Sequence, residues 1–214
     1  MKELLAEVKG AFSGAGYRKK RNSFWKREGG FYRLVDFQHG AYGDYFFINV
    51  GLHPVGLPSL VAGELVIKEQ PKEYECIFHQ RVGEISPIPL FQKALVPISD
   101  PGSVQAVLDS VPDIEAWFFR WCSFETLAGC EYSNVEGMLS CVPLLWKKAY
   151  QMLRCYCLCE LGHTAEAEQA YSAYLAEHRE LDFSAVDQYL MSNIEAAISD
   201  WGSNNEYKGI KRSP

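Results

Sequence analysis

Short glycine turns between closely spaced β-type segments restrict the fold of this chain more than any other feature. As a strand, residues 24–28 place Phe24, Lys26 and Glu28 on one parity and Trp25 and Arg27 on the other, and they end at Gly29-Gly30, a pair that favours a two-residue hairpin. A second strand is predicted at about 31–38 and a third, almost continuously apolar, at about 45–52. Parallel strands need long crossover connections, so strands this close in sequence predict an antiparallel meander.

Helical patterns flank the meander on both sides. An apolar stripe over residues 2–13 predicts an amphipathic helix that ends at Gly14 and Gly16. A fourth strand is predicted at about 74–82, with weaker signals at 64–68 and 95–98. After Asp100-Pro101, and with a break at Pro112, helices are predicted at 103–111, 114–122, 143–161, 164–177 and 184–201.

These patterns predict an α+β fold: an N-terminal helix, an antiparallel meander of four to six strands, then an all-helical C-terminal part. A chain of 214 residues can bury a core without disulfides or metals. We expect a sheet domain over residues 1–99, a helical part over 100–203 packed on the sheet as one globular unit, and a frayed tail over 204–214.

The cysteines and the N-terminus indicate the compartment. Seven cysteines are an odd number, unlike the even framework of a secreted disulfide-rich domain. The N-terminus has no apolar run long enough for a signal peptide, and the chain has none long enough to span a membrane. We therefore expect a cytoplasmic protein with no membrane partner.

A cysteine-rich helix invites a metal interpretation. Cys155, Cys159 and His163 would share one face of a continuous helix. Gly162 predicts that the helix stops before the histidine, and no CxxC spacing occurs in the chain. We interpret the cysteines as buried thiols and predict neither a metal site nor a cofactor.

The net charge of -6 conceals an asymmetry along the chain. Residues 1–33 hold nine basic and three acidic residues, whereas the remaining 181 hold 12 basic and 24 acidic ones. Such a difference indicates that the two parts present different surfaces to partners, or to each other.

The densest basic cluster is the run Arg18, Lys19, Lys20 and Arg21, with Trp25 close behind. As a nucleic-acid contact, its cations would neutralise phosphates while the tryptophan stacks on an exposed base. The alternative is a solvated loop whose long side chains cover apolar surface. The sequence leaves both open and favours the loop.

The acidic residues of the helical part have two interpretations: ordinary solubility charge, which the sequence alone favours, or a surface that faces a basic partner. With the aromatic content and the absence of catalytic motifs, our leading hypothesis is a non-enzymatic protein-protein interaction protein of the immunity or antitoxin type, which neutralises a cognate bacterial toxin or effector. Its acidic surface would occlude a basic site on that partner, with aromatic residues as anchors. The residues predicted to make this contact are Glu115, Glu125, Glu131, Tyr132 and Glu136.

We predict no catalytic residues, because the chain has no GxSxG, GxxxxGK[ST], HExxH or GxGxxG motif. An enzyme with its site on the sheet stays open as an alternative. That site would use His53, His79 and Arg81 with a carboxylate such as Glu75 or Glu84, provided that the sheet brings them within hydrogen-bond reach.

Four ordered motifs resemble a known family. The segment 16–26, GYRKKRNSFWK, is followed by VDFQ at 35–38, FINVG at 47–51 and CIFHQRVG at 76–83. Over about residues 4–85 the chain resembles the bacterial domain of unknown function 4304 family, which usually has glycine where Arg21 stands here. The resemblance implies an α+β domain and no established activity. We expect Asn49, inside an apolar strand, to be buried and hydrogen-bonded.

The segment 149–175 looks like one tetratricopeptide-type helical hairpin, with small residues that let two helices approach closely. No second copy follows about 34 residues away, so a repeat array is the weaker interpretation. The hairpin could still offer a groove to a partner.

Overall fold

The computed structural model describes residues 1–41, 43–57, 59–61, 64–66, 68–93, 96–139, 146–177, 195 and 199. They divide into two compact units, which are described separately. The first comprises Met1–Ser59, Ile67–Ser123 and Met138–Ser140. The second comprises Leu60–Val66, Phe124–Gly137 and Cys141–Pro214. The first unit therefore takes in residues 103–121, a helix that the sequence analysis assigned to the helical part.

The first unit consists of a helix, an antiparallel sheet and a second long helix. Its helices are α1 (Lys2–Gly14), the short α2 (Val82–Ile85) and α3 (Ser103–Trp121). Its strands are β1 (Arg18–Lys20), β2 (Ser23–Glu28), β3 (Phe31–His39), β4 (Tyr45–Pro54), β7 (Phe78–Arg81) and β8 (Val96–Pro97). The strands pair in the order β1-β2-β3-β4-β7, and β8 also pairs with β4. The predicted α+β fold with an antiparallel meander is confirmed.

The glycine turn between β2 and β3 forms as predicted. Glu28 pairs with Phe31, so the hairpin loop has two residues. Gly29 and Gly30 have φ values of 58° and 85°, which glycine adopts without steric cost. This turn sets the register of β2 against β3, and with it the residues that share each face of the sheet.

One face of the sheet carries the core of the first unit. Phe24 on β2 and Phe37 on β3 point to this face, where α1 covers them. The Phe12 ring of α1 stacks on Phe24 at 4.5 Å and meets Phe37 edge-on at 6.1 Å. Helix α3 covers the same face at β7, where the Trp121 ring lies 6.4 Å from Phe78.

Two predicted elements differ from the structure. Helix α3 continues through Pro112 as one helix, because Pro112 is exposed and solvent can hydrate the carbonyl that loses its amide partner. The predicted strand at 74–82 is wrong in its first half. Glu73–Glu75 form a 3-10 turn, since the backbone N–H of Lys72 donates to Glu75 Oε2 at 2.8 Å and bends the chain.

The second unit is mainly helical where it is described. It contains the strand pair β5 (Ser59–Val61) and β6 (Glu64–Val66), of which Ser59 lies at the end of the first unit. Helix α4 (Phe124–Gly129) and two 3-10 turns (Tyr132–Asn134 and Glu136–Met138) lead to α5 (Trp146–Glu160) and α6 (Thr164–Glu177). The helix predicted at 184–201 lies outside the described residues except for Glu195 and Ser199, and so does the tail.

Helices α5 and α6 pack against each other, with Cys155, Tyr171 and Tyr174 as their shared apolar cluster. Assignment of this pair to the tetratricopeptide class stays a prediction. In the ranges given above, no helix has the length and apolarity needed to cross a bilayer.

Candidate functional site

The face of the sheet opposite α1 and α3 carries polar and aromatic side chains. The register places Ser23, Trp25, Tyr32, Leu34 and Asp36 on this face of β2 and β3. Residues 70–75, which precede β7 and include the 3-10 turn, cross the same face and are called the crossing segment below. They form one wall of a cleft of about 600 Å³. The lining residues are Lys20, Arg21, Asn22, Ser23, Trp25, Tyr32, Leu34, Asp36, Gln70, Pro71, Lys72, Glu73 and Tyr74.

Gly51 on β4 allows the crossing segment to lie this close to the sheet. A Cβ atom at position 51 would be 2.9 Å from Cys76 Sγ and 3.3 Å from the Glu73 Cα. A larger residue would push the segment away from the strand. Asn49, two residues earlier, is 4% exposed and donates from Nδ2 to Gln38 Oε1 at 3.1 Å, which confirms the expected buried and bonded amide.

Basic side chains line the rim of the cleft. Lys20 and Arg21 stand at one side, where Lys20 Nζ donates to Gln70 Oε1 at 2.9 Å. Lys72 stands on the crossing segment and is exposed. Three cations around one opening give the cleft a positive rim, which attracts phosphate groups.

Arg21 holds an unusual backbone conformation. Its φ of 55° is the only positive φ of a non-glycine residue in the part of the chain that the structure describes. Lys20 pairs with Ser23, so Arg21 and Asn22 form the two-residue turn between β1 and β2. A left-handed conformation costs a residue with a Cβ atom about 1–2 kcal/mol, and such strain is concentrated at functional sites. The strain therefore marks Arg21 as a residue of functional interest.

The walls of the cleft are aromatic. Trp25 is half-buried, and the Arg18 guanidinium lies 5.9 Å from its ring centre. Tyr74 is 59% exposed at the rim, and the structure shows Phe119, outside the cleft, as the other large apolar side chain this exposed among the described residues. Flat rings beside cations form a surface on which nucleobases stack.

Two carboxyl groups form the floor of the cleft. Ser23 Oγ donates to Asp36 Oδ1 at 2.5 Å. Burial raises the pKa of Asp36, and the hydrogen bond from Ser23 offsets part of that rise. Burial and the nearby Asp36 carboxylate raise the pKa of Glu73 to about 7, although Arg81 acts in the opposite direction. Glu73 therefore gains or loses a proton near neutral pH.

Glu73 also approaches a histidine, with His79 Nε2 lying 3.7 Å from Glu73 Oε1. Burial lowers the pKa of His79 while it raises that of Glu73, so the imidazole is neutral over the range in which Glu73 is ionised. The contact is for this reason not an ion pair. His79 Nδ1 is buried with no hydrogen-bond partner among the described residues.

Two residues of the enzyme hypothesis, His53 and Glu75, have structural roles, and the Arg81 guanidinium lies 4.3 Å from the Phe47 ring centre. His53 is 2% exposed, donates from Nε2 to the Leu57 carbonyl at 2.7 Å and accepts the Ile77 N–H at Nδ1. Burial lowers the pKa of His53 to about 4, so its ring is neutral. Burial alone would raise the pKa of Glu75, but hydrogen bonds from Lys68 and the Lys72 backbone lower it overall. The predicted carboxylate Glu84 acts on His79 by raising its pKa against the effect of burial, whereas the contact at 3.7 Å is made by Glu73, which the sequence did not indicate.

The basic residues predicted for nucleic acid come together around Trp25. Arg18 and Lys20 lie on the cleft face of the edge strand β1, and Arg21 lies in the following turn. Lys19 has the opposite parity, and its Nζ donates to the Arg21 carbonyl at 2.6 Å. The run therefore forms a strand and a turn instead of the loop that the sequence favoured, and its side chains are exposed as that interpretation expected.

The acidic residues predicted for a protein partner belong to different units. Glu115 lies on α3, where its carboxylate accepts hydrogen bonds from Tyr17 Oη at 2.6 Å and Lys26 Nζ at 3.0 Å. Its charge is therefore engaged within the first unit. The other four belong to the second unit, where Glu125, Glu131 and Glu136 are exposed and the half-buried Tyr132 ring lies 5.6 Å from Tyr150.

The residues considered for a metal site are placed as follows. Cys155 and Cys159 are buried, whereas His163 is exposed and its Nδ1 lies 2.8 Å from Glu166 Oε2. Over the described ranges, no three His, Cys, Asp or Glu residues form a group that could hold a metal ion.

Residues 8–112 match the model of a family described as "Domain of unknown function (DUF4304)". The chain has no match among curated proteins or among solved structures. Every residue that lines the cleft falls inside the matched range.

Proposed function

We propose that this chain, whose residues 8–112 belong to the DUF4304 family, binds single-stranded nucleic acid in the cleft on its open sheet face. One observation carries the proposal. Three cations, Lys20, Arg21 and Lys72, line the same cleft as the aromatic side chains Trp25 and Tyr74. Cations contact phosphates without reading sequence, and rings stack on any base.

The shape of the site favours a single strand over a duplex. Duplex recognition uses a helix or a two-stranded ribbon that enters a groove. Here the aromatic rings line a recess on a sheet, which a base can reach only when it is unpaired. The overall charge of -6 fits a local site, because the basic residues are concentrated at one edge of the sheet.

Replacement of Arg21 by glycine tests this proposal without harming the fold. Arg21→Gly removes one rim cation and relieves the positive φ, so we expect weaker binding with no loss of stability. The slope of log affinity against log salt concentration should fall by about 0.7 to 1. Fluorescence anisotropy with a labelled pentanucleotide at several salt concentrations measures both quantities, and urea unfolding measures stability.

Lys9→Ala is the matched control, since Lys9 is exposed on α1 and does not line the cleft. It should leave affinity and salt slope unchanged. The proposal fails if Arg21→Gly and Lys9→Ala give the same slope, or if binding to the wild-type chain is insensitive to salt.

A second candidate is the immunity-type interaction with a basic bacterial toxin or effector. The exposure of Glu125, Glu131 and Glu136 on the second unit favours it. We expect coexpression to protect cells from a toxin encoded beside this gene, and Glu131→Lys with Glu136→Lys to abolish that protection. Glu168→Lys, an exposed residue of α6, is the control. Protection that survives the double charge reversal would contradict this candidate.

A further inference from the structure

Resting on the nucleic-acid function proposed above, we infer that the cleft selects guanine and that Asp36 is the residue that reads the base.

The strand register sets the distance between Asp36 and the aromatic wall. Trp25 pairs with Leu34, and Ser23 pairs with Asp36, so Trp25 and Asp36 are diagonal neighbours on one face. Such neighbours lie about 7–8 Å apart, close enough for large side chains to act together. A base that stacks on the Trp25 ring therefore lies on the same face as the Asp36 carboxylate and within reach of it.

Asp36 has room for further donors. Its Oδ1 accepts the hydrogen bond from Ser23, and the structure shows no donor to Oδ2 among the described residues. Burial raises the pKa of this half-buried carboxylate, so it disfavours the ionised form. A ligand that supplies N–H donors at Oδ2 would stabilise that form.

Guanine is the nucleobase whose donors match a carboxylate. Its Watson-Crick edge presents N1–H and the N2 amino group side by side, so both carboxylate oxygens receive a hydrogen bond. Adenine and cytosine present one amino group beside a ring-nitrogen acceptor, which repels the second oxygen. Uracil presents one N–H between two carbonyl oxygens. A carboxylate at this position therefore favours guanine over the other three bases.

Other ligands that stack on aromatic rings fit the cleft less well. A neutral sugar would use Trp25 and Tyr74 but would leave Lys20, Arg21 and Lys72 without anions. A phosphate alone would use the cations but meet the repulsion of Asp36 and Glu73. A guanine nucleotide brings donors to the floor, a ring to the wall and phosphates to the rim.

The test compares the RNA pentanucleotides UUGUU, UUAUU, UUCUU and UUUUU by anisotropy at pH 6.5 in one buffer. We expect the wild-type chain to bind UUGUU at least about tenfold more tightly than the others. Asp36→Asn should abolish that preference, because an amide offers one acceptor and one donor, and should leave the affinity for UUUUU within about twofold. Asp109→Asn, an exposed α3 residue away from the cleft, should preserve it.

Each outcome bears on a different statement. Equal affinity of the wild-type chain for all four oligonucleotides would overturn guanine selection and leave the proposed function standing. Binding of none of them would overturn the proposed function itself. A preference for guanine that survives in a folded Asp36→Asn variant would assign the reading to another residue. The wild-type comparison decides the question even if that variant fails to fold.

Discussion

Replacing Trp25 with alanine is expected to weaken binding of a single-stranded pentanucleotide by roughly 10- to 100-fold, because stacking contributes about 1–3 kcal/mol per base. Trp25 is half-buried in the wall of the cleft, and the cation of Arg18 lies 5.9 Å from its ring centre. Loss of the ring removes both the stacking surface and the side chain that positions this cation. We expect this substitution to have the largest effect on binding of any in the cleft.

Anisotropy titrations of the variant and two controls test this expectation. Trp25→Phe keeps a ring and should retain most of the affinity. Phe119→Ala removes an aromatic side chain that is 87% exposed on α3, outside the cleft, and should change nothing. Wild-type affinity in a correctly folded Trp25→Ala protein would contradict stacking in the cleft.

Protonation of Glu73 is expected to make stability depend on pH. Burial and the Asp36 carboxylate raise its pKa from 4.5 to about 7 in the folded chain. The folded state then binds a proton more tightly than the unfolded state, so this contribution is fully present below pH 4.5 and is lost as the pH rises to about 7. Relative to a variant whose side chain at position 73 does not titrate, the free energy of unfolding of the wild type should fall by roughly 1–3 kcal/mol between pH 5 and pH 8.

Urea unfolding of the wild type and of Glu73→Gln at both pH values measures this loss. The two proteins should differ most at pH 8, where the variant is the more stable. Glu75→Gln provides the control: the hydrogen bonds of Glu75 lower its pKa and stabilise its ionised form, so this variant should be less stable than the wild type by a similar amount at both pH values. Parallel stability curves for the wild type and Glu73→Gln would show that the Glu73 pKa is not raised.

The sheet could be predicted because its signals are local. Gly29-Gly30 favours a two-residue turn, and the register that this turn sets determines which side chains of β2 and β3 face the core. Position 21 shows how far such signals reach. Arg21 has a left-handed backbone conformation in the structure, and no local signal in the sequence predicted this for a residue with a Cβ atom.

The floor of the cleft could not be predicted because it depends on the crossing segment. Residues 74–77 have strand-like composition, and a strand there would not place Glu73 over the sheet. Hydrogen bonds from Lys68 and Lys72 to Glu75 create the 3-10 turn instead. Gly51 in an apolar strand was the available signal, because glycine there marks a close approach of another chain segment. The proximity of the Glu73 and Asp36 carboxyl groups results from the folded position of this segment, and no local sequence pattern indicates it.

The acidic-surface hypothesis illustrates a different limit. Composition shows that the chain after residue 33 is acidic, but it does not show which carboxylates are already engaged. Glu115 binds Tyr17 and Lys26, partners 98 and 89 residues earlier in the chain, and so balances charge inside the first unit. The charge that a surface offers to a partner can be counted only after the carboxylates in such pairs are left out.

The most direct measurement of the central claim is an NMR titration of the isotopically labelled full chain with UUGUU. Binding in the cleft predicts saturable shifts of the Trp25 indole N–H and of backbone amides at residues 20–25 and 70–74, and these shifts should diminish as salt is added. Unchanged spectra, or shifts confined to the acidic segment 125–136, would contradict the account.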